Sequence, residues 1–152
     1  KIKMKKILSI LILFLLSNCG YQPIYTQSDS SNIAIKSITL DGDKKINRRI
    51  IYLTVANVDK NNDLAYDLKL SSNKIIRSIA KDSTGNITKF RMTVNIDLSL
   101  ERPNQNNKSK KFSSSFSYNN QTNKFDVLQY QKNIENNLIN KLSQEIKIFI
   151  DS

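Results

Sequence analysis

Cys19 is the only cysteine in the chain, and histidine is absent. Those two counts decide most of the chemistry open to it. A thiolate is the best soft nucleophile a side chain offers near neutral pH, so Cys19 is the strongest candidate for a covalent step. Without histidine, the usual general base, proton shuttle and metal ligand are missing. A lone cysteine also excludes an internal disulfide framework. The carboxylates offer weaker candidates. Asp59, Asn61 and Asp63 imitate the start of a calcium loop, but Leu64 stands where a glycine is required and Leu70 where the closing glutamate is required. That motif is rejected. Asp67 and Asp97 fall on polar strand faces, where a carboxylate pair can do acid–base work, although such residues are usually only solvated. The glycines Gly20, Gly42 and Gly85 form no phosphate-cradling loop. The expectation is a chain without catalytic, metal or cofactor chemistry of its own.

The surroundings of Cys19 say what is done to it. Met4-Lys5-Lys6 is a basic start, and Ile7 to Leu16 is apolar apart from Ser9. Leu16-Ser17-Asn18 then leads directly to the cysteine. This is the three-part layout of an export signal. The apolar run falls short of the roughly 20 residues needed to span a membrane. Leu16-Ser17-Asn18-Cys19 resembles the lipobox of bacterial lipoproteins, with Asn18 where most carry Gly, Ala or Ser. In such proteins the thiol takes a diacylglycerol and, after cleavage, the freed amine accepts a further acyl chain. One acyl chain holds a protein marginally, at about 0.8 kcal/mol per buried methylene, and two or more make a stable anchor. The competing reading is a buried or free thiol after a core helix. Residues 1–18 are expected to be a lipoprotein signal peptide, with Met4 a better start than Lys1. Cys19 is the expected lipidation site, carrying S-diacylglycerol and N-acyl groups. Gly20 in place of an aspartate resembles sorting to the outer membrane.

The segment 19–32 is polar, with Pro23 and a Ser-Asp-Ser-Ser run, and reads as a tether. Residues 33–152 are enough for one modest core and read as a single domain. The four lysines of residues 1–18, unaccompanied by acids, take the formal charge from +11 to +7 when they are removed. The remaining positive charge is scattered, with no interleaved aromatic platform, so nucleic acid is not the expected partner.

Within the domain, Ile33 to Leu40 reads as a strand whose apolar phase slips between Ile35 and Ile38, which fits either a bulge or burial on both faces. Asp41-Gly42-Asp43 is a turn. Ile46, Ile50, Leu53 and Asn57 fall at helical spacing after an Asp43 cap. Tyr66, Leu68 and Leu70 alternate as a strand, with a break expected at Ser71-Ser72-Asn73 before it resumes through Ile75 to Ala80. Asp82 to Asn86 is a hairpin turn, with Gly85 or Asn86 at positive φ. Phe90, Met92, Val94, Ile96, Leu98 and Leu100 alternate with polar residues in the clearest strand of the chain. Arg102 to Lys110 reads as a loop. Phe112, Phe116 and Tyr118 alternate with serines in the next strand. Phe125 to Ile150 carries an apolar stripe through Val127, Tyr130, Ile134, Leu138, Leu142, Ile146 and Phe149, widened by Ile139 and Ile150, and is a helix. The predicted architecture is a two-layer α+β sandwich, with a roughly four-stranded mixed or antiparallel sheet and two helices on one face, in the order β-α-β-β-β-α.

Several stretches together resemble the LPS-assembly lipoprotein family LptE in its alphaproteobacterial form. They are Cys19-Gly20-Tyr21-Gln22-Pro23-Ile24-Tyr25, Phe90-Arg91-Met92-Thr93-Val94-Asn95, Ser115-Phe116-Ser117-Tyr118, and Asn137 to Leu142 followed by Gln144-Glu145-Ile146. The likeness implies a mixed sheet with two helices on one face. It implies a role without catalysis, as plug and assembly factor of the LptD β-barrel, helping insert lipopolysaccharide into the outer membrane from its periplasmic side. On that reading Lys81, Lys89, Arg91 and Lys124 are candidate contacts for lipopolysaccharide phosphates. The alternative function is a periplasmic lipoprotein that binds a lipid or small ligand within a transport system, which requires a closed apolar cavity.

Overall fold

The structure, a computed structural model, describes residues 33–55, 58–103, 106–121 and 123–152. The expected signal peptide, the tether and Cys19 lie outside the described residues. The elements are β1 (Ile35–Gly42), α1 (Lys44–Thr54), β2 (Tyr66–Lys81), β3 (Ile87–Glu101), β4 (Lys108–Asn119) and α2 (Lys124–Asp151). The strands lie in sequence order, β1-β2-β3-β4. β1 is parallel to β2, and the other two pairings are antiparallel. The sheet is therefore mixed, and the α+β architecture is the expected one.

The slip in apolar phase on β1 is a register shift between Ile35 and Ser37. It turns Ile35 into the core while Leu40 remains exposed. Asp43 caps α1 as anticipated: its Oδ1 accepts the Lys45 N–H at 2.9 Å and the Ile46 N–H at 3.1 Å. These two bonds satisfy N–H groups that a helix start otherwise leaves open. Ile46 and Ile50 on α1 are fully buried. Helix α1 lies over β1 and β2, and α2 lies over β3 and β4. Between them and the sheet sit Leu68, Met92, Val94, Ile96, Leu98, Leu100, Leu142 and Ile146, nearly all without solvent contact. The alternation on β3 is the spine of this core.

Three expectations change. The chain does not break at Ser71-Ser72-Asn73, because β2 runs without interruption through all three. The backbone at Ser72 is instead a point of close approach. Gly42, at φ +82°, lies against Ser72, and a Cβ there would stand 2.0 Å from the Ser72 carbonyl oxygen. The Ser72 carbonyl accepts the Asp43 N–H at 2.9 Å. The buried Ser72 hydroxyl donates to Asn47 Oδ1 at 2.6 Å. The loop after Arg102 is also shorter than expected, since β4 already begins at Lys108. Finally, Phe116 shares the core-side alternation of β4 yet is 47% exposed. It stands on an edge strand at the end of the sheet where the cover is incomplete, beside exposed Tyr130 of α2.

Candidate functional site

The face of the sheet away from the helices is mostly polar, with Ile75 as an apolar member on β2. Ser113 donates to Asn95 Oδ1 at 2.7 Å, and Asn95 Nδ2 donates to Asn73 Oδ1 at 2.9 Å, a side-chain ladder across three strands. Lys69 Nζ reaches both carboxylate oxygens of Glu101, at 2.8 and 2.7 Å. Asp67 accepts the Ser37 hydroxyl, and Asp97 faces Lys111 at 3.8 Å. Asp67 pairs with Glu101 in the ladder and Asp97 pairs with Ser71, so the two aspartates are four positions apart and serve different neighbours. Asp59 and Asp63 are likewise engaged in their loop. Asp59 Oδ1 accepts the Asn61 N–H at 3.2 Å, and Asp63 pairs with Lys36 at 3.2 Å. Among the described residues no group of acidic side chains has the arrangement of a metal site.

The β2–β3 hairpin holds most of the cations singled out by sequence. Its turn is built by Asp82, whose carboxylate accepts the Thr84 N–H, the Thr84 hydroxyl and the Asn86 N–H, at 2.9, 2.7 and 2.9 Å. The Thr84 hydroxyl and the Asn86 amide hold the Asp82 carboxyl below its ordinary value. Gly85 supplies the positive φ, at +87°. Lys81 ends β2, Lys89 pairs with Ala80, and Arg91 pairs with Arg77. Lys89, Arg91 and Arg77 share the open face. The Arg91 Nε–H donates to Ser117 Oγ at 3.1 Å. Lys124 is the first residue of α2, reached from β4 through Asn120. Asn120 bonds to the backbone of Ile87 and Thr88, so Lys124 belongs to the same end of the molecule.

Arg77 was missing from the sequence candidates. It was recoverable, because counting outward from the Asp82–Asn86 turn sets it opposite Arg91. Like charges directly opposed on a sheet are destabilising. A pair kept in register on an exposed face is therefore suited to an anion that lies across both.

This end is also apolar. Phe90 stacks on Tyr118 with ring centroids 5.8 Å apart, and Tyr118 meets Tyr130 edge-on at 6.0 Å. Burial raises the Tyr118 hydroxyl above its ordinary pKa, and the bond from Gln131 Nε2, at 2.7 Å, partly offsets this. Phe116, Phe125, Leu128, Ile76 and Ile79 are exposed around the same end. A small hollow of about 110 Å³ opens between Phe116, Tyr130 and Leu138. This end of the sheet therefore carries cations on its open face and exposed aromatic and aliphatic surface, with Phe116 and Ile76, on its helix side.

A buried charge cluster joins the layers on the helix side. Glu135 of α2 is buried, with Lys45 of α1 at 2.6 Å on Oε1 and Lys74 of β2 at 2.6 Å on Oε2. Burial alone would raise the Glu135 carboxyl. The two ammonium donors outweigh it and hold the carboxyl below its usual value.

No protein-family model matches the chain. No curated protein matches it by sequence. Solved structures do. The minor lipoprotein from Acinetobacter baumannii superposes with a TM-score of 0.56 at 14% identity, over 78% of this chain and 92% of that one. Rare lipoprotein B from Shewanella oneidensis gives a TM-score of 0.52 at 11% identity, over 72% of this chain and 92% of that one. Lipoprotein B from Nitrosomonas europaea gives 0.52 at 9% identity, over 83% and 88%. All three neighbours are bacterial lipoproteins. At these identities the likeness is one of fold.

Proposed function

We propose that this chain is an outer-membrane lipoprotein, anchored on the periplasmic side through acyl chains on Cys19. Its domain partners an LptD-like β-barrel as plug and assembly factor and helps insert lipopolysaccharide into the outer membrane. The observation that supports this most is the open sheet face. It is wide and polar, and many of its side chains are already hydrogen-bonded to one another. Such a face suits the water-lined interior of a barrel rather than a second apolar layer. At its hairpin end, Arg77, Lys89 and Arg91 offer charge-assisted donors for lipopolysaccharide phosphates, while exposed apolar side chains such as Ile76 and Phe116 stand on the helix side of that end. Lys81 and Lys124 stand at the same end.

The fold shared with three lipoproteins and the lipobox-like Leu16-Ser17-Asn18-Cys19 support the anchored part of the reading. The alternative, a binding module enclosing a small apolar ligand, is less well supported. The interior between sheet and helices is occupied by side chains such as Met92, Ile96, Leu142 and Ile146, at most 1% exposed. Crosslinking in intact cells, followed by affinity purification from the membrane fraction, tests the proposal. It should recover a large outer-membrane β-barrel protein; recovery of none rejects the partnership.

A further inference from the structure

A separate concentration of positive charge lies on α1, on the helix side of the sandwich. Lys44, Lys45, Arg48 and Arg49 recur at helical spacing and are all exposed, so they form one strip along the helix. Tyr52 continues the strip by one turn and is 79% exposed. Together with Ile139 of α2 these residues line an open cleft of about 680 Å³ between the helices. Helix α1 contains no acidic residue. Lys45 is engaged by Glu135, while Lys44, Arg48 and Arg49 have no ion-pair partner among the described residues. Lys44 with Arg48 and Lys45 with Arg49 are like charges four residues apart, which weakens a helix. Fold stability therefore does not account for the strip.

The direction of the chain suggests what covers it. Val58, just beyond the end of α1, bridges to Ile35, and the Asp59 N–H donates to the Ile35 carbonyl at 2.9 Å. The last turn of α1, with Tyr52, therefore lies beside the start of β1, where the chain coming from Cys19 enters the domain. Thirteen residues lie between Cys19 and Ile33, fourteen Cα-to-Cα steps in all. Even fully extended, that length keeps the domain within about 50 Å of an anchored Cys19.

We propose that the α1 strip is the face on which the tethered domain rests against an anionic phospholipid leaflet. The inference rests on the lipid-anchor reading of Cys19. Acyl chains alone would hold the domain near the leaflet without orienting it. Basic side chains near an anionic leaflet add attraction that falls off within a Debye length, and a tyrosine ring suits the headgroup level. The strip would thus set the pose from which the domain meets its barrel.

The test uses the exported form, residues 19–152, carrying Cys19→Ser so that no acyl chain contributes. Its partitioning is measured on vesicles of phosphatidylglycerol and of phosphatidylcholine. Binding is expected on phosphatidylglycerol alone, and it should weaken steeply as salt is raised. The triple variant K44Q/R48Q/R49Q should lose about a hundredfold in partitioning. R48K/R49K should retain it, and K60Q/K108Q/K141Q, which removes equal charge elsewhere, should keep most of it. Equal binding to both vesicles, no binding to phosphatidylglycerol, or an equal loss in the two triple variants would overturn the proposal. Acyl labelling of Cys19 in the wild-type chain is measured in parallel. Its absence would remove the anchor reading itself, whereas vesicle failure with labelling intact removes only the docking face.

Discussion

Gly42 occupies a position where no side chain fits. Its φ of +82° and the Ser72 carbonyl oxygen 2.0 Å from a would-be Cβ act together. Gly85 has a similar φ, +87°, but nothing within 4 Å. Gly42→Ala should therefore destabilise the domain by about 3 kcal/mol or more, and Gly85→Ala by only about 1 kcal/mol, read as shifts in urea midpoint. Glu135 supplies a second test. Replacing it with glutamine leaves Lys45 and Lys74 facing a neutral group and should cost about 1–3 kcal/mol at pH 7. The sign of the pH dependence follows from the lowered carboxyl. A group depressed in the folded state adds stability above its unfolded pKa and loses it as pH falls through the folded one. Urea midpoints of wild type and Glu135→Gln should therefore differ at pH 7 and draw together as the pH falls below the ordinary glutamate range and the folded-state carboxyl takes up its proton.

Among the elements, the β2–β3 hairpin carries the sharpest contrast. Its base, through Leu68, Leu70, Val94 and Ile96, is buried, while its far end from Ile76 to Lys81 is exposed. Arg77 and Arg91 face each other on that end. Arg77→Ser should raise stability by a few tenths of a kcal/mol, because a like-charge opposition is removed. The same change should weaken binding of lipopolysaccharide about tenfold, measured by titration. A residue that serves only the fold would not move these two readouts in opposite directions. This element also shows what periodicity can and cannot convey. The alternation on β3 was plain, because one face is buried and the other wet along its length. Ser71-Ser72-Asn73 looked like a break, because composition cannot reveal that Gly42 crosses there. Glu135 was unreadable for a related reason: its two lysine partners come from distant parts of the chain, and only the packing of α1, β2 and α2 brings them together. The helix stripe located Ile134 and Leu138 but gave no reason to expect the neighbouring Glu135 to be buried with them.

At the level of the whole molecule, the two-layer architecture followed from element types and order, since a sheet with one apolar face needs a cover. The parallel pairing of β1 with β2 was not specified by pattern. The Arg77–Arg91 opposition was within reach of a count outward from the Asp82–Asn86 turn, since the strand register keeps to that count. Cys19 links the domain to its proposed location. Cys19→Ser in the full chain should move the protein from the membrane pellet to the soluble fraction after mild salt washing, measured by fractionation and blotting.

The strands stand side by side in the order in which they are made, so each newcomer finds its neighbour already waiting. Only the lid, α2, comes last, and it is 28 residues long. A polypeptide that emerges amino end first must therefore carry Met92, Val94, Ile96 and Leu98 uncovered until its final stretch arrives. A form of the domain truncated before residue 124 should be held by chaperones and cut by proteases, whereas the form that includes α2 should resist both.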